Sequence, residues 1–295
     1  MSLGIDLGNK VVKTSEMKKF DSRVANGHFD LNKNDIKVEY EGKKYTVGTG
    51  TAVLGNDRYF NKLYDICLLT AIAMSSDAIF IEENIVIGMP PELFESDLKD
   101  EVENKLNSIG LKNITVNGVA KSIRILKANV FEESAIVFRN TKEYRDKRVL
   151  VIDIGGGTAD ISQFKNLELE KSTTTKYGML SLYENMKKAI NTKYLAKLTS
   201  EDMVNLINKD FTIIKGNTKD ISFTKDIIQE HVMKIYNEVQ NFDYDNSKIL
   251  IIGGGALPLS DYFRRLLPYI EIPADSQFTN ALTYERVGEM LNGRK

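Results

Sequence analysis

Val149-Leu150-Val151-Ile152-Asp153-Ile154-Gly155-Gly156-Gly157-Thr158-Ala159-Asp160 is the stretch on which the reading of this chain turns. Its apolar start is too short for a helix, and three glycines break it, the pattern of a strand entering a tight turn. The same composition occurs twice more. Leu3-Gly4-Ile5 leads into Asp6-Leu7-Gly8-Asn9 with Lys13 four residues beyond, and Ile249 to Ile252 leads into Gly253-Gly254-Gly255-Ala256. Glycine at such bends lets backbone N–H groups approach an anion, because no Cβ blocks the way and positive φ is open. An aspartate beside a phosphate is repulsive unless a divalent cation lies between them, so Asp6 and Asp153 point to magnesium held largely through waters. Lys13 supplies a point cation for phosphate charge. The chain has no GxxxxGK[ST] segment and its glycines lack GxGxxG spacing, which excludes a P-loop and a dinucleotide fold.

Outward from these turns, short β-rich runs alternate with amphipathic helical stretches, which predicts an α/β architecture with mostly parallel central strands. Ser2 to Leu7, Lys37 to Val47 and Ile85 to Ile87 read as extended, and Ser122 to Leu126 reads as a strand leading into another turn. From Phe60 to Ile72, Leu63, Tyr64, Cys67, Leu68, Ala71 and Ile72 make an apolar stripe, so Cys67 reads as core. Pro90-Pro91 opens a helix with Leu98, Val102, Leu106 and Ile109 on one face and Gly110 as its stop. A second half begins at Arg148, with hairpin strands from Thr158 to Phe164 and Leu167 to Thr175 and a helix from about Met179. A short helix follows a Ser200 cap, and a long one capped by Thr224 carries Ile228, Val232, Ile235, Tyr236 and Val239 on one face. The boundaries read as 1–147 with a C-terminal helix of about 279–295 packing back on that half, and 148–278.

The 295 residues suit about two domains. Forty Lys and Arg against 41 Asp and Glu give a net charge of -1, so no global field recruits nucleic acid or an anionic membrane. The lone Cys67 excludes an internal disulfide, a CxxC pair and a thiolate zinc site. No apolar run reaches the roughly 20 residues that span a bilayer. The N-terminus shows no basic segment followed by an apolar one, so a cytoplasmic location is expected. His28 and His231 are too isolated for a metal pair. Lys187 and Lys188 read as a solvated helix face, and the run Lys142, Arg145, Lys147, Arg148 is balanced by Glu143 and Asp146.

Taken in order along the whole chain, the three turns resemble those of the actin-like ATPases, the superfamily that includes DnaK-type chaperones and sugar kinases. Asp6 to Lys13 resembles its first phosphate loop, Asp153 to Asp160 its second, and Ile249 to Ala256 its adenosine motif. Two further segments are similar to the ParM/StbA group of plasmid-segregation actins. Asn129-Val130-Phe131-Glu132-Glu133-Ser134-Ala135 resembles the helix start carrying the catalytic glutamate. Ile272 to Ala281 resembles the closing P-x-x-P-x-F-A-N-A segment, departing from it at Ser276 and Thr279. The resemblance implies an actin-like, ribonuclease H-like fold of duplicated domains flanking a nucleotide cleft. ATP or ADP with Mg2+ would be held by Asp6, Gly8, Asn9, Lys13, Gly155, Gly156, Gly157, Thr158, Asp160, Gly253, Gly254, Gly255 and Ala256. Asp6 and Asp153 would orient the metal, Asp160 would support its shell, and Glu133 would hold the attacking water, with Glu132 as its rival.

The implied function is an ATPase that polymerises head to tail with ATP, depolymerises after hydrolysis, and segregates plasmid DNA through a ParR-type adaptor on centromere-like DNA. Contact with nucleic acid would be indirect, and no membrane would be involved. A small-molecule kinase of the same fold, a chaperone-type switch, and a phage or cytoskeletal actin-like protein are the alternatives. The choice between ATP and GTP stays open at this level.

Overall fold

Seven residues with six buried side chains make Arg148–Ile154 a central strand rather than an edge. In the computed structural model, which describes residues 2–30, 34–53 and 55–293, this strand pairs antiparallel with Ala159–Lys165 and parallel with Lys248–Ile252. Glu168–Thr175 and Ile270–Glu271 complete a five-stranded sheet. The helices Met179–Tyr194, Thr224–Val239 and Ala256–Leu266 cover it. Leu182, Met186, Ile228, Ile235 and Phe263 meet Ile152 and Ile251 in one core.

The N-terminal strand Ser2–Leu7 has the same neighbours in the same sense. It pairs antiparallel with Val11–Thr14, which pairs with Lys19–Asp21, and parallel with Phe80–Met89, which is followed by parallel Val119–Glu132. This repeated five-strand order is the internal duplication of the chain. Five further antiparallel strands, Leu111–Val116, Ile36–Tyr40, Lys43–Val47, Arg23–Asn26 and Thr51–Ala52, extend the first sheet to ten. The chain divides into two compact units, residues 1–141 with 278–295, and residues 142–277. No helix among the described residues is long and apolar enough to cross a membrane.

Several boundaries differ from the sequence reading. Lys37 to Val47 is two strands, separated at Glu41 and Gly42, both with positive φ. The strand through Ser122 does not turn after Leu126. It runs fourteen residues to Glu132, and a bulge between Ile125 and Lys127 absorbs Leu126, whose side chain is left exposed. Asn129 to Glu132 is therefore strand end, and Glu133 sits in the following turn rather than at a helix start. Pro91–Phe94 and Leu98–Ser108 are separate helices, because the Ser96 amide and hydroxyl both donate to the Leu93 carbonyl and end the first. Thr199, not Ser200, caps Ser200–Leu206 through a reciprocal box with Asp202. Thr224 is the first residue of its helix, not its cap. Lys62–Met74 is buried on nearly every side, not on a stripe alone, and Cys67 is core with its thiol pushed up to about 12 by burial. The hairpin Phe211–Ile214 and Asn217–Asp220 was not anticipated.

The C-terminal helix Thr279–Leu291 packs on Ser2–Leu7 at a separation set by glycine. A Cβ on Gly4 would strike the Ala281 carbonyl and lie 2.6 Å from the Glu285 amide nitrogen. Both obstacles are helix backbone and cannot rotate away. Gly4→Val is expected to lower the unfolding free energy by about 2 kcal/mol or more, the scale of overpacking. Denaturant unfolding checks this, and a wild-type midpoint would show that the helix shifts without cost.

Candidate functional site

In the second unit, the turns after Arg148–Ile154 and Lys248–Ile252 emerge side by side, because the strands are parallel and Asp153 is in register with Ile252. The carboxyl ends of neighbouring parallel strands are where open α/β sheets bind ligands. Gly155 N–H donates to the Thr158 carbonyl at 2.9 Å and closes the first of these turns. The Gly155 and Gly156 carbonyls accept from the Met179 and Leu180 amides at 3.0 and 2.8 Å, so the turn caps the helix Met179–Tyr194 with its own backbone. Gly253, at φ 85°, donates to the Ser276 carbonyl at 2.9 Å, and Gly255 donates to Ile154 at 3.0 Å. A Cβ on Gly253 would collide with the Asp153 carboxylate. The carboxylate and the third turn are thus in contact, which no sequence spacing reveals. A Cβ on Gly254 would meet nothing closer than the Gln277 amide nitrogen at 3.9 Å, so that position opens outward.

Asp160 is buried beside this turn. Its carboxylate accepts from Thr174 Oγ1 at 2.6 Å and from Thr158 Oγ1 at 3.1 Å. These bonds tie the turn to the neighbouring strand. Ala256 opens the helix that follows the third turn and is fully buried. Lys187 pairs with Glu184 at 2.5 Å and donates to Ser200, on the outer part of its helix. His231 is buried, with Nε2 at 3.0 Å from the Tyr177 carbonyl, and burial holds its pKa below the ordinary value.

The remaining candidate residues belong to the first unit. Asp6 and Lys13 are cross-strand neighbours joined by an ion pair of 2.6 Å. Lys13 therefore offsets the Asp6 charge within the protein. Among the described residues no group of three or more His, Cys, Asp or Glu side chains forms a metal cage. Magnesium that keeps most of its waters needs only one or two carboxylates, so Asp153 beside the glycine turns is a donor that fits that ion. Gly8 lies over the Asp6 carboxylate, where a Cβ would stand 3.4 Å from Oδ1.

Glu133 follows the third parallel strand of this sheet. Its amide donates to the Met89 carbonyl at 2.8 Å, and the next amide, Ser134 at φ 65°, donates to Asn280 Oδ1 at 3.3 Å. Asn280 lies in the closing segment quoted above, so that segment braces the Glu133 turn. The sequence reading missed Arg58. Its guanidinium, 6% exposed, donates to Asn9 Oδ1 at 2.7 Å and to the Tyr59 hydroxyl at 3.1 Å, and stands 3.9 Å from Glu133 Oε1. The available signal was faint: one arginine between Asp57 and Tyr59 ahead of an apolar helix.

Glu132 and Glu133 have separate environments. Glu132 is 9% exposed, and burial, helped by the Glu95 charge, pushes its pKa up to about 7. A solvated carboxylate at a helix start is thereby excluded for Glu132.

Two family models match the chain, "Actin like proteins N terminal domain" over residues 4–135 and "Archaeal actin homologue MreB-like, C-terminal" over residues 151–265. The chain is an actin-like protein. Solved structures agree in fold. The apo psk41 parM protein aligns with a TM-score of 0.73 at 22% identity, covering 99% of this chain and 98% of that one. Ta0583, an archaeal actin homolog in complex with ADP, aligns at 0.81 and 17% identity over 98% and 100%. The Alp12 filament structure aligns at 0.72 and 19% identity over 99% and 98%. None of the curated proteins matches this sequence.

The Glu132 shift has a measurable consequence for the actin-like protein. A folded pKa above the ordinary 4.5 contributes stability that is full below about pH 4.5 and is lost as pH rises through about 7. Glu132→Gln keeps the shape and removes the titration. Its stability relative to wild type should rise between about pH 5 and pH 8 by on the order of 2 to 3 kcal/mol. Denaturant unfolding at both pH values tests this, and parallel pH dependence in the two proteins would contradict it.

Proposed function

We propose that this actin-like protein binds ATP with its glycine turns, hydrolyses it, and assembles head to tail into filaments that serve plasmid DNA segregation. The two units correspond in this reading to domains I and II of the actin-like fold. The observation that carries the nucleotide reading is the pairing of two glycine turns at adjacent parallel strand ends with the Asp153 carboxylate against one of them. Backbone N–H groups of Gly156 to Thr158 would face phosphate oxygens, and the open side of Gly254 would face adenosine. In the first unit, Lys13 and Asn9 are the residues that would contact phosphate. Glu133 holds the attacking water in line with the γ-phosphate, and its turn is braced for that purpose by Met89 and Asn280. Catalysis in such a site is mostly positioning and electrostatics. Asp153 beside these turns, and Asp6 in the first unit, are the carboxylates that would hold hydrated magnesium, which would neutralise phosphate charge when bound.

Assembly and segregation rest on likeness to the ParM group and to the Alp12 filament structure. The near-neutral net charge agrees with DNA contact through a ParR-type adaptor, because direct binding needs a basic surface.

Right-angle light scattering with magnesium-ATP and parallel phosphate release tests the whole reading. Scattering should rise only with nucleotide and fall after hydrolysis. No rise well above micromolar protein, with hydrolysis stimulated by a small-molecule acceptor, would replace the filament with a kinase. Glu133→Ala should keep ATP affinity and slow hydrolysis by about two orders of magnitude or more. Normal turnover would remove Glu133 from the reaction. Gly254→Val has room in the fold and should melt like wild type while losing nucleotide affinity at least about tenfold. Unchanged affinity would make that turn purely structural.

A further inference from the structure

Arg58 is a buried cation with an unusual set of neighbours. It lies in the single-turn helix Asn56–Phe60, and its guanidinium carbon stands 4.9 Å from the Tyr59 ring centroid. Burying a guanidinium costs more than burying an apolar side chain of its size, even when it is paired. Stability alone does not call for arginine here. What arginine adds is a rigid fork that reaches several acceptors at fixed angles, which lysine cannot copy.

The fork spans two parts of the first unit that the chain separates by more than a hundred residues. One Nη donates to Asn9 in the first glycine turn at 2.7 Å. The other donates to the Tyr59 hydroxyl at 3.1 Å and stands 3.9 Å from Glu133 Oε1. Tyr59 is itself 1% exposed, so the fork is held at its base. Asn9 follows the strand Ser2–Leu7 and Glu133 follows the strand Val119–Glu132, with Phe80–Met89 between them in the sheet. The two turns are therefore ends of strands that the sheet joins only through Phe80–Met89, and Arg58 adds the side-chain link between them.

We infer that Arg58 is a positioning residue for hydrolysis, setting the Glu133 carboxylate against the first phosphate turn through its bond to Asn9. The inference rests on the reading of Glu133 as the group that holds the attacking water. Arg58 governs the rate of phosphate cleavage through Glu133, and its bond to the Asn9 side chain carries a smaller effect on nucleotide affinity.

The experiment measures kcat and KM for ATP, and nucleotide affinity with a fluorescent analogue, in the full chain carrying Arg58→Met, Arg58→Lys, Glu133→Gln and Arg58→Met with Glu133→Gln. Arg58→Met should lower kcat by about 10- to 100-fold with KM and affinity changed less than about threefold, and Arg58→Lys should fall between it and wild type. In the Glu133→Gln background, Arg58→Met should cost less than about threefold further, because residues that act as a unit are non-additive. Circular dichroism and melting identify a variant that does not fold. Tyr59→Phe then serves as the milder probe, since it keeps the buried ring and charge and frees one anchor of the fork, and it should lower kcat a few-fold at constant KM. Wild-type kcat in the folded Arg58 variants, a full independent loss in the double variant, or a loss confined to affinity would each overturn the inference. Wild-type turnover in Glu133→Gln would overturn the reading of Glu133 beneath it. Slow Glu133→Gln with normal Arg58→Met would leave that reading standing and remove Arg58 alone.

Discussion

The contact between the Gly253 backbone and the Asp153 carboxylate constrains the whole site of the second unit. Two parallel strands in register must both release their chains at the same end, and the two turns then meet in the same space. Any side chain at Gly253 would fill the volume that the carboxylate occupies, and its φ of 85° is one that other residues adopt at a cost. With glycine there, the Ile154 carbonyl is free to bind the Gly255 amide, and the two turns become one surface. The helix Met179–Tyr194 follows from this arrangement as much as it supports it, because its first amides are satisfied by carbonyls of the glycine turn.

The first unit repeats the strand order but manages its charges by another route. Asp6 is met by Lys13 across a hairpin, within hydrogen-bond distance. Arg58 links side chains of two turns whose strands the sheet joins only through Phe80–Met89. The unit thereby carries two buried or half-buried ionic contacts that favour geometry over stability, since an apolar replacement of similar size would pack more cheaply. Such exceptions to economical packing concentrate where function requires them.

Glu132 and Glu133 show how little separates core from site. They are consecutive, and side chains at a strand end alternate between opposite sides. Glu132 goes inward, where loss of solvation pushes its pKa up to about 7. Glu133 lies one step past the strand, where its amide is bound to Met89 and its carboxylate stands near the Arg58 cation. Residue type is identical at both positions, so only the path of the strand distinguishes them.

The α/β class, the duplicated strand-turn pattern and the three glycine turns were legible in the residue order, because apolar runs ended by Asp and Gly admit few local structures. The cores beneath the helices starting at Met179 and Thr224 were legible for the same reason, from apolar spacing. The full length of Val119–Glu132 was not, since a bulge conceals its period and mimics a turn at Leu126. Nor were the Thr199 cap, the Asp6–Lys13 pair, the grip of Thr158 and Thr174 on Asp160, or Arg58. Each of these depends on which strands become neighbours and in what register, and that is settled by burying both faces of two sheets at once. Local composition carries the turns; long-range packing alone decides which side chains face one another across them.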